Sequence, residues 1–346
     1  MKFDFIIGNP PYQADTENTA WDGQIYHYFI ESAYSIADKV ELITPGRFLF
    51  NAGKTPKEWN KKMLSDRHFK VLRYEPDSKK IFPNTDIMGG IAIHFRDKTV
   101  EGKAIGTFVI QKEELYSILE KVRSKNERKI DNLIFPYSSY TFSDVFREEQ
   151  TDIVKELPNK QIIASNLFSK LENKIFFLEC PNDNDNYIQL YGRKDNERVF
   201  MWVKSKYINV AQNFEYYKLF IPAANGCSAV GAGSATSVIG KPVFGDKFIG
   251  HNQTFISLGY FSTKFECFSA LKYIKTKFAR TMIGTLKVTQ NGKKAVYANV
   301  PMQDFTEKSD IDWSKSIHEI DLQLYEKYGL DEHEIDFIEK NVKEME

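Results

Sequence analysis

The chain has 346 residues, 42% hydrophobic and 27% charged, a balance that fits about two globular domains and excludes a disordered chain, a collagen and a coiled coil. Its 47 basic and 47 acidic residues cancel, but they are segregated: residues 202–300 hold thirteen bases against three acids, and 301–346 hold fourteen acids against five bases. A polyanionic partner for the basic stretch and a lysine-rich solvated face both fit that bias. No apolar run approaches the ~18 residues of a membrane span, Asp4 stands where a signal peptide is apolar, and the separated Cys180, Cys227 and Cys267 form neither a disulfide framework nor a metal clip. A reducing cytoplasm is the expected setting.

Phe3–Gly8 is an apolar run closed by glycine and proline, which predicts a buried strand. Gln24–Ala37 carries Tyr28, Phe29, Ser32, Ala33 and Ile36 at helical spacing. A strand over Val40–Thr44, a helix over Lys57–Ser65 and a strand over Phe69–Tyr74 follow. Ile87–Phe95, loosened by Gly89 and Gly90, turns back through Asp97–Gly102 into a strand over Ala104–Ile110. This alternation predicts an α/β fold, a mostly parallel sheet with an antiparallel end. Residues 111–160 read as a charged helical connector.

Beyond the loop at 181–186 come short aromatic strands, Tyr187–Tyr191, Val199–Val203, Tyr216–Ile221 and Thr254–Leu258, separated by Gly- and Ser-rich loops. A long helix interrupts them. Thr263 and Glu266 make a capping box, Phe265, Phe268, Leu271, Ile274 and Phe278 form one apolar stripe, and Lys272, Lys275 and Arg280 point off it. The sequence closes with an acidic helical hairpin: Ile317, Ile320, Leu324 and Tyr328 line its first helix, Gly329 ends that helix, and Asp331 with Glu334 caps the second. The expected divisions are 1–125, a connector over 126–185, a mixed α+β domain over 186–305, and the hairpin over 306–346.

Asn9-Pro10-Pro11-Tyr12, directly after the first strand, is the most informative tetrapeptide. Sites of open α/β sheets lie off the carboxyl ends of strands. Two prolines fix φ and donate nothing, so the carbonyls before and between them face outward without partners. Asn9 adds a side-chain carbonyl. Such a rigid set of acceptors suits a planar amino group, with Tyr12 stacked on the ring that bears it. A plain Pro-Pro turn is the structural alternative.

In this context the tetrapeptide resembles motif IV of the gamma-class adenine-specific DNA methyltransferases of type II restriction–modification systems. Phe29–Phe50 looks like the helix–strand–Pro segment that follows in the TaqI-like branch, and Ile81-Phe82-Pro83 with Ile91–Phe95 resembles its motif VIII. Residues 216–305 resemble its target-recognition domain. The resemblance implies part of a Rossmann-like methyltransferase sheet followed by that domain. It implies methyl transfer from S-adenosylmethionine to the exocyclic amine of an adenine flipped out of duplex DNA. The Asn9 side-chain oxygen and the Pro10 carbonyl hold the amine, Pro11 stiffens the loop, Tyr12 stacks on the base and Phe95 guards another face. The transfer is direct, with no metal.

Only eight residues precede Asn9, whereas the family places its cofactor-binding half before this loop. The resemblance thus implies a chain that relies on an upstream segment or polypeptide for most of the cofactor site, and that binds DNA alone with little or no methyl transfer. The competing readings are an inactive DNA-binding specificity protein, a restriction–modification protein whose nuclease is another chain, and an RNA or protein amino-group methyltransferase. The expected DNA contacts are Lys272, Lys275, Lys277, Arg280, Lys287, Lys293 and Lys294, because phosphate contacts need clustered cations.

Weaker candidates complete the survey. Pro76-Asp77 with Glu101-Gly102-Lys103 has the loose spacing of Mg²⁺ nucleases, though a solvated turn explains it better. His94 is expected outward on its strand. His251-Asn252-Gln253 reads as a turn or as a reader of base edges. Gly226–Gly240 reads as a loop touching DNA rather than a phosphate cradle, lacking the strand–turn–helix frame. Trp21 reads as a site-ordering or core residue.

Overall fold

The computed structural model describes residues 2–14, 23–106, 108, 112–225, 230–231, 235–287 and 292–345. The chain divides into two compact units, Met1–Ile118 with Gly231–Ser234, and Leu119–Val230 with Ala235–Glu346. No helix among the described residues is long and apolar enough to cross a membrane.

The first unit contains β1 (Phe3–Gly8), α1 (Tyr26–Ile36), β2 (Ala37–Pro45), α2 (Lys57–Ser65), β3 (Phe69–Glu75) and β4 (Ile91–Asp97), and α3 (Glu113–Ser124) begins in it. The four strands form one sheet in the order β1-β2-β4-β3. β1 and β2 are parallel, which requires a crossover, and α1 provides it. β4 is antiparallel to both β2 and β3. Alternate residues of β2, β3 and β4, Val40, Leu42, Phe69, Val71 and Ala92, bury against Tyr26 and Ile30 of α1 and Trp59 and Met63 of α2. Each large apolar side chain so buried contributes about 1.5–3 kcal/mol.

The other face of this sheet is open. Phe3, Phe5 and Ile7 of the edge strand β1 are exposed, Ile7 to 72%. The expected strand over Ala104–Ile110 is absent among the described residues of that stretch, which are 104–106 and 108.

The second unit receives the end of α3 and then runs β5 (Ile134–Phe135), β6 (Thr141–Phe142), α4 (Asp144–Glu149), α5 (Thr151–Lys155), α6 (Leu167–Lys170), β7 (Tyr187–Lys194), β8 (Glu197–Lys204), β9 (Ile208–Asn209), β10 (Tyr217–Pro222), β11 (Val243–Gly245), β12 (Ile249–His251), β13 (Phe255–Phe261), α7 (Lys264–Lys275), α8 (Lys277–Gly284), α9 (Ile317–Tyr328) and α10 (Glu332–Asn341). Its sheets have the orders β11-β10-β13-β5 and β12-β7-β8, with β6 paired to β9. Residues 126–185 are more than a connector. Tyr140, Phe142, Phe146, Phe168 and Phe176 close a core over Leu190 of β7 and Met201 and Val203 of β8.

The expected long helix is broken. Thr276 leaves helical geometry and caps α8, its Oγ1 accepting from Ala279 N at 3.1 Å. The apolar stripe is also displaced: Cys267, Ala270, Tyr273 and Ile274 face the core, and Phe265 and Phe268 are exposed. Small side chains at 267 and 270 let α7 lie close on its sheet, where Cys267 Sγ donates to the Lys218 carbonyl at 3.4 Å. The two terminal helices start on capping boxes at Ser316/Glu319 and Asp331/Glu334, and Gly329 ends the first in the left-handed region.

Candidate catalytic loop and basic surfaces

The register of the first sheet sets the position of the tetrapeptide. Gly8 pairs with Leu42, so Asn9-Pro10-Pro11-Tyr12 leaves the same end of the sheet at which β2 finishes, β3 finishes and β4 begins. Three connections meet at that end: 9–25, 46–56 and 76–90. The loop is pinned only after the prolines. Tyr12 O accepts from Ile25 N at 3.2 Å, Gln13 bridges to Gln24, and Ala14 N donates to Gly23 O at 3.2 Å. Among the described residues no N–H reaches the carbonyls of Asn9, Pro10 or Pro11. Those acceptors are free as the proline pair requires.

Tyr12 is half-buried, with its ring packed against the α1/α2 core. Among the described residues its buried hydroxyl meets no hydrogen-bond partner. Burial pushes that group up to about 12, with the adjacent Asn9 side chain opposing, so the ring is a neutral phenol at physiological pH. Among the described residues the same core holds other polar atoms without partners: the Tyr26 hydroxyl, both ring nitrogens of His27 and the Trp59 indole nitrogen. Burial lowers the His27 pKa, with Glu31 opposing. A buried polar group that neither protein, water nor ligand reaches costs about 1–3 kcal/mol.

Two expectations on β4 separate here. His94 does not face outward. It is fully buried, its Nε2 lies 3.1 Å from Thr44 Oγ1, and burial pushes its pKa down to about 3. The strand's alternation places Phe95 on the open face instead, 6.1 Å from the Phe5 ring and under the Lys70 ammonium. Phe95 pairs with Glu41 and Lys70, two residues along from Ile93, the level at which the proline loop leaves β1, or ~7 Å down the strand from it. Phe82, half-buried in the 76–90 connection, is the aromatic that belongs to the loop end.

Most of the cations expected to grip DNA are held within the fold. Lys272 Nζ donates to the carbonyls of Trp313, Ser314 and Lys315 at 2.7–3.3 Å. Lys277 pairs with Glu339. Arg280 is completely buried, its Nε donating to Lys275 O at 3.0 Å and Thr276 O at 3.2 Å. Lys287 is buried and Lys275 half-buried. A guanidinium so enclosed fixes the α7–α8 junction and offers no surface charge, which corrects the expectation for Arg280 and Lys287. Lys293 and Lys294, by contrast, are exposed on the wall of a cleft of about 1150 Å³ in the second unit. Lys293, Lys294 and Gln253 are legible in the sequence as candidates, but the cleft that joins them is not, because its walls come from separate segments.

The loose nuclease spacing does not make a site. Asp77 follows the end of β3 and Glu101 the end of the antiparallel β4, about 20 Å apart along the strands. Asp77 caps the backbone N–H of Lys79, and Glu101 pairs with Arg67 at 2.8 Å. Among the described residues no group of three His, Cys, Asp or Glu could hold a metal. Trp21, Cys227 and most of the Gly-rich run before Ala235 lie outside the described residues.

Comparison with known proteins bears on the loop directly. Residues 1–82 match the family model of the Eco57I restriction-modification methylase. Over 110 residues the chain is 31% identical to an uncharacterized adenine-specific methylase of Mycoplasma pneumoniae (strain ATCC 29342 / M129 / Subtype 1), covering 30% of this chain and 26% of that protein. The chain thus spans about a quarter of the length of this curated relative. Among solved structures, the type IIG restriction endonuclease BpuSI is similar at a TM-score of 0.34 and 10% identity, over 91% of this chain and 48% of that one.

Proposed function

We propose that this chain is the base-holding and DNA-recognition part of an adenine-specific DNA methyltransferase from a restriction–modification system, of the gamma class and TaqI-like, working in the cytoplasm on duplex DNA. The observation that carries the reading is the free acceptor set at Asn9, Pro10 and Pro11, on a loop pinned only from Tyr12 onward. It lies inside the matched residues 1–82. The sheet order β1-β2-β4-β3 with β4 antiparallel supports reading the first unit as one half of a Rossmann-like sheet.

The chain's own residues act on the flipped base. The Asn9 side-chain oxygen and the Pro10 carbonyl accept the two N–H bonds of the exocyclic amine. The lone pair on that nitrogen is then left as the nucleophile, and no covalent enzyme intermediate or metal takes part. The neutral Tyr12 ring stacks on one face of the purine. A second aromatic, Phe95 by the resemblance or Phe82 by its place in the sheet, closes another. The methyl donor that the resemblance implies is S-adenosylmethionine, but the described residues do not fit it. β1 runs into the proline pair and β2 into a 3₁₀ turn at Gly46–Phe50, and neither is a glycine-rich turn opening a long helix. We place the cofactor's site on a further segment or partner polypeptide. The open edge of β1, with Phe3, Phe5 and Ile7 exposed, is the surface on which such a partner would continue the sheet.

The test is methyl transfer from labelled S-adenosylmethionine to duplex DNA, with the chain alone and with the polypeptide encoded upstream. Transfer that needs the second polypeptide and is lost in Asn9→Ala, with DNA binding intact, upholds the reading. DNA binding without transfer in any combination leaves a specificity protein in its place.

A further inference from the structure

The cleft in the second unit sets cations and uncharged hydrogen-bonding groups among apolar walls. Arg193, Lys293 and Lys294 bring three cations to its walls against one acid, Asp195, which accepts from Ser169 Oγ at 3.1 Å. Gln253, Asn166 and Tyr137 add hydrogen-bonding groups. Among the described residues, Lys293 and Lys294 have no acidic partner, and the side-chain amides of Gln253 and Asn166 make no hydrogen bond.

Gln253 is held in a way that turns it into a probe. Its own N–H donates to Ile163 O at 2.9 Å. Its two predecessors are buried anchors: His251 Nε2 lies 3.1 Å from Ser257 Oγ, Asn252 N donates to Tyr191 O at 3.0 Å, and Asn252 Oδ1 accepts from Thr254 N at 2.9 Å. Gly192 of β7 lies so close to this turn that a Cβ there would stand 2.5 Å from Asn252 Nδ2. A rigid turn that buries His251 and Asn252 thus directs the free amide of Gln253 into a basic cleft. Arg193 is steadied similarly, its Nη2 donating to Asn196 O at 3.1 Å. An uncommitted amide offers a paired donor and acceptor, the pattern that fits the edge of adenine, and cations beside it match phosphates.

We propose that this cleft, and not the α7–α8 helices, is where duplex DNA is read: Lys293, Lys294 and Arg193 hold phosphates, while Gln253 and Asn166 contact base edges and set the sequence preference. The assignment rests on the DNA reading above and adds which residues supply grip and which supply specificity.

The test uses the full chain and fluorescence anisotropy on mixed-sequence duplex DNA across a salt series, followed by selection from a randomised duplex pool. Lys293→Ala with Lys294→Ala should weaken binding on the order of tenfold or more at 0.1 M salt and reduce the slope of log K against log salt by ~1.8, about 0.9 for each lost phosphate contact. Lys308→Ala with Lys343→Ala, outside the cleft, should leave the slope unchanged. Gln253→Ala should select a pool whose preference is relaxed at one position, on the order of tenfold, where the Lys308/Lys343 variant selects as the parent does. Parent-like slopes for the Lys293/Lys294 variant, in a protein that binds DNA, overturn the cleft assignment and leave the methyltransferase reading standing. A parent chain that binds no DNA at low salt, or prefers RNA, overturns both.

Discussion

The proline loop at the end of β1 and the basic helices α7 and α8 are both conspicuous in the sequence, and the fold treats them in opposite ways. The loop's acceptors at Asn9, Pro10 and Pro11 meet no donor among the described residues. The helices' cations are consumed internally, Lys272 by three carbonyls, Lys277 by Glu339 and Arg280 by the junction it fills. Residue type and clustering alone do not distinguish a working group from a structural one. What separates them is whether the fold already satisfies the group, because a satisfied charge or acceptor has nothing left to offer a ligand.

That contrast is broken most forcefully by substitution on the structural side. Arg280→Ala should destabilise the second unit by about 3 kcal/mol, from the volume vacated and the carbonyls left without donors. On the order of 10 °C in Tm is then expected by calorimetry, with the salt slope of DNA binding unchanged below the transition. A loss of binding without loss of Tm would return Arg280 to the DNA surface.

The pH dependence of stability sharpens the same side. Burial pushes the Asp321 carboxyl up to about 7, against the N–H groups of Phe278 and Lys277 that it accepts from at 2.8 and 2.9 Å. With the ordinary value near 3.8, the folded chain holds a proton that the unfolded chain releases between those limits. Stability from this group is therefore present at low pH and lost as pH rises from about 4 to about 7. Denaturation midpoints across that range should fall with pH in the parent and fall less in Asp321→Asn.

On the side of the loop, Phe82→Ala and Phe95→Ala compare two aromatics within one sheet. If the base is held at the loop end, Phe82→Ala should raise the KM for DNA several-fold in the transfer assay while Phe95→Ala changes it little. The reverse outcome would place the base on the open face near Phe5. The smallest effect is expected for Lys272→Ala, about 1 kcal/mol of stability and no change in salt slope.

Much of the local structure was legible. The strand Phe3–Gly8 and the helix Lys57–Ser65 appear with the expected bounds, and Asp331 with Glu334 caps as expected, but the strand lies exposed at the sheet's edge where its apolar run predicts burial. These depend on short-range patterns. The free acceptors of the loop were legible for the same reason, since proline chemistry is local. Phe265 and Phe268 were not, because which face of α7 is buried depends on a sheet that lets Cys267 and Ala270 approach closely. His94 faces inward against expectation because alternation on β4 gives two faces without saying which one α1 and α2 cover. The cleft was invisible because Asn166, Arg193, Gln253 and Lys293 meet only through tertiary structure.

In the proposed reading the oxygens of Asn9 and Pro10 receive an adenine's amine. It is tested most directly by binding to duplexes that carry a single adenine, or a single purine lacking that amine, opposite an abasic position, using the parent chain and Asn9→Ala. The account predicts that removing the amine or the Asn9 side chain each weakens binding, and that removing both is little worse than either alone. Losses that simply add would mean that Asn9 and the amine never meet, and would contradict it.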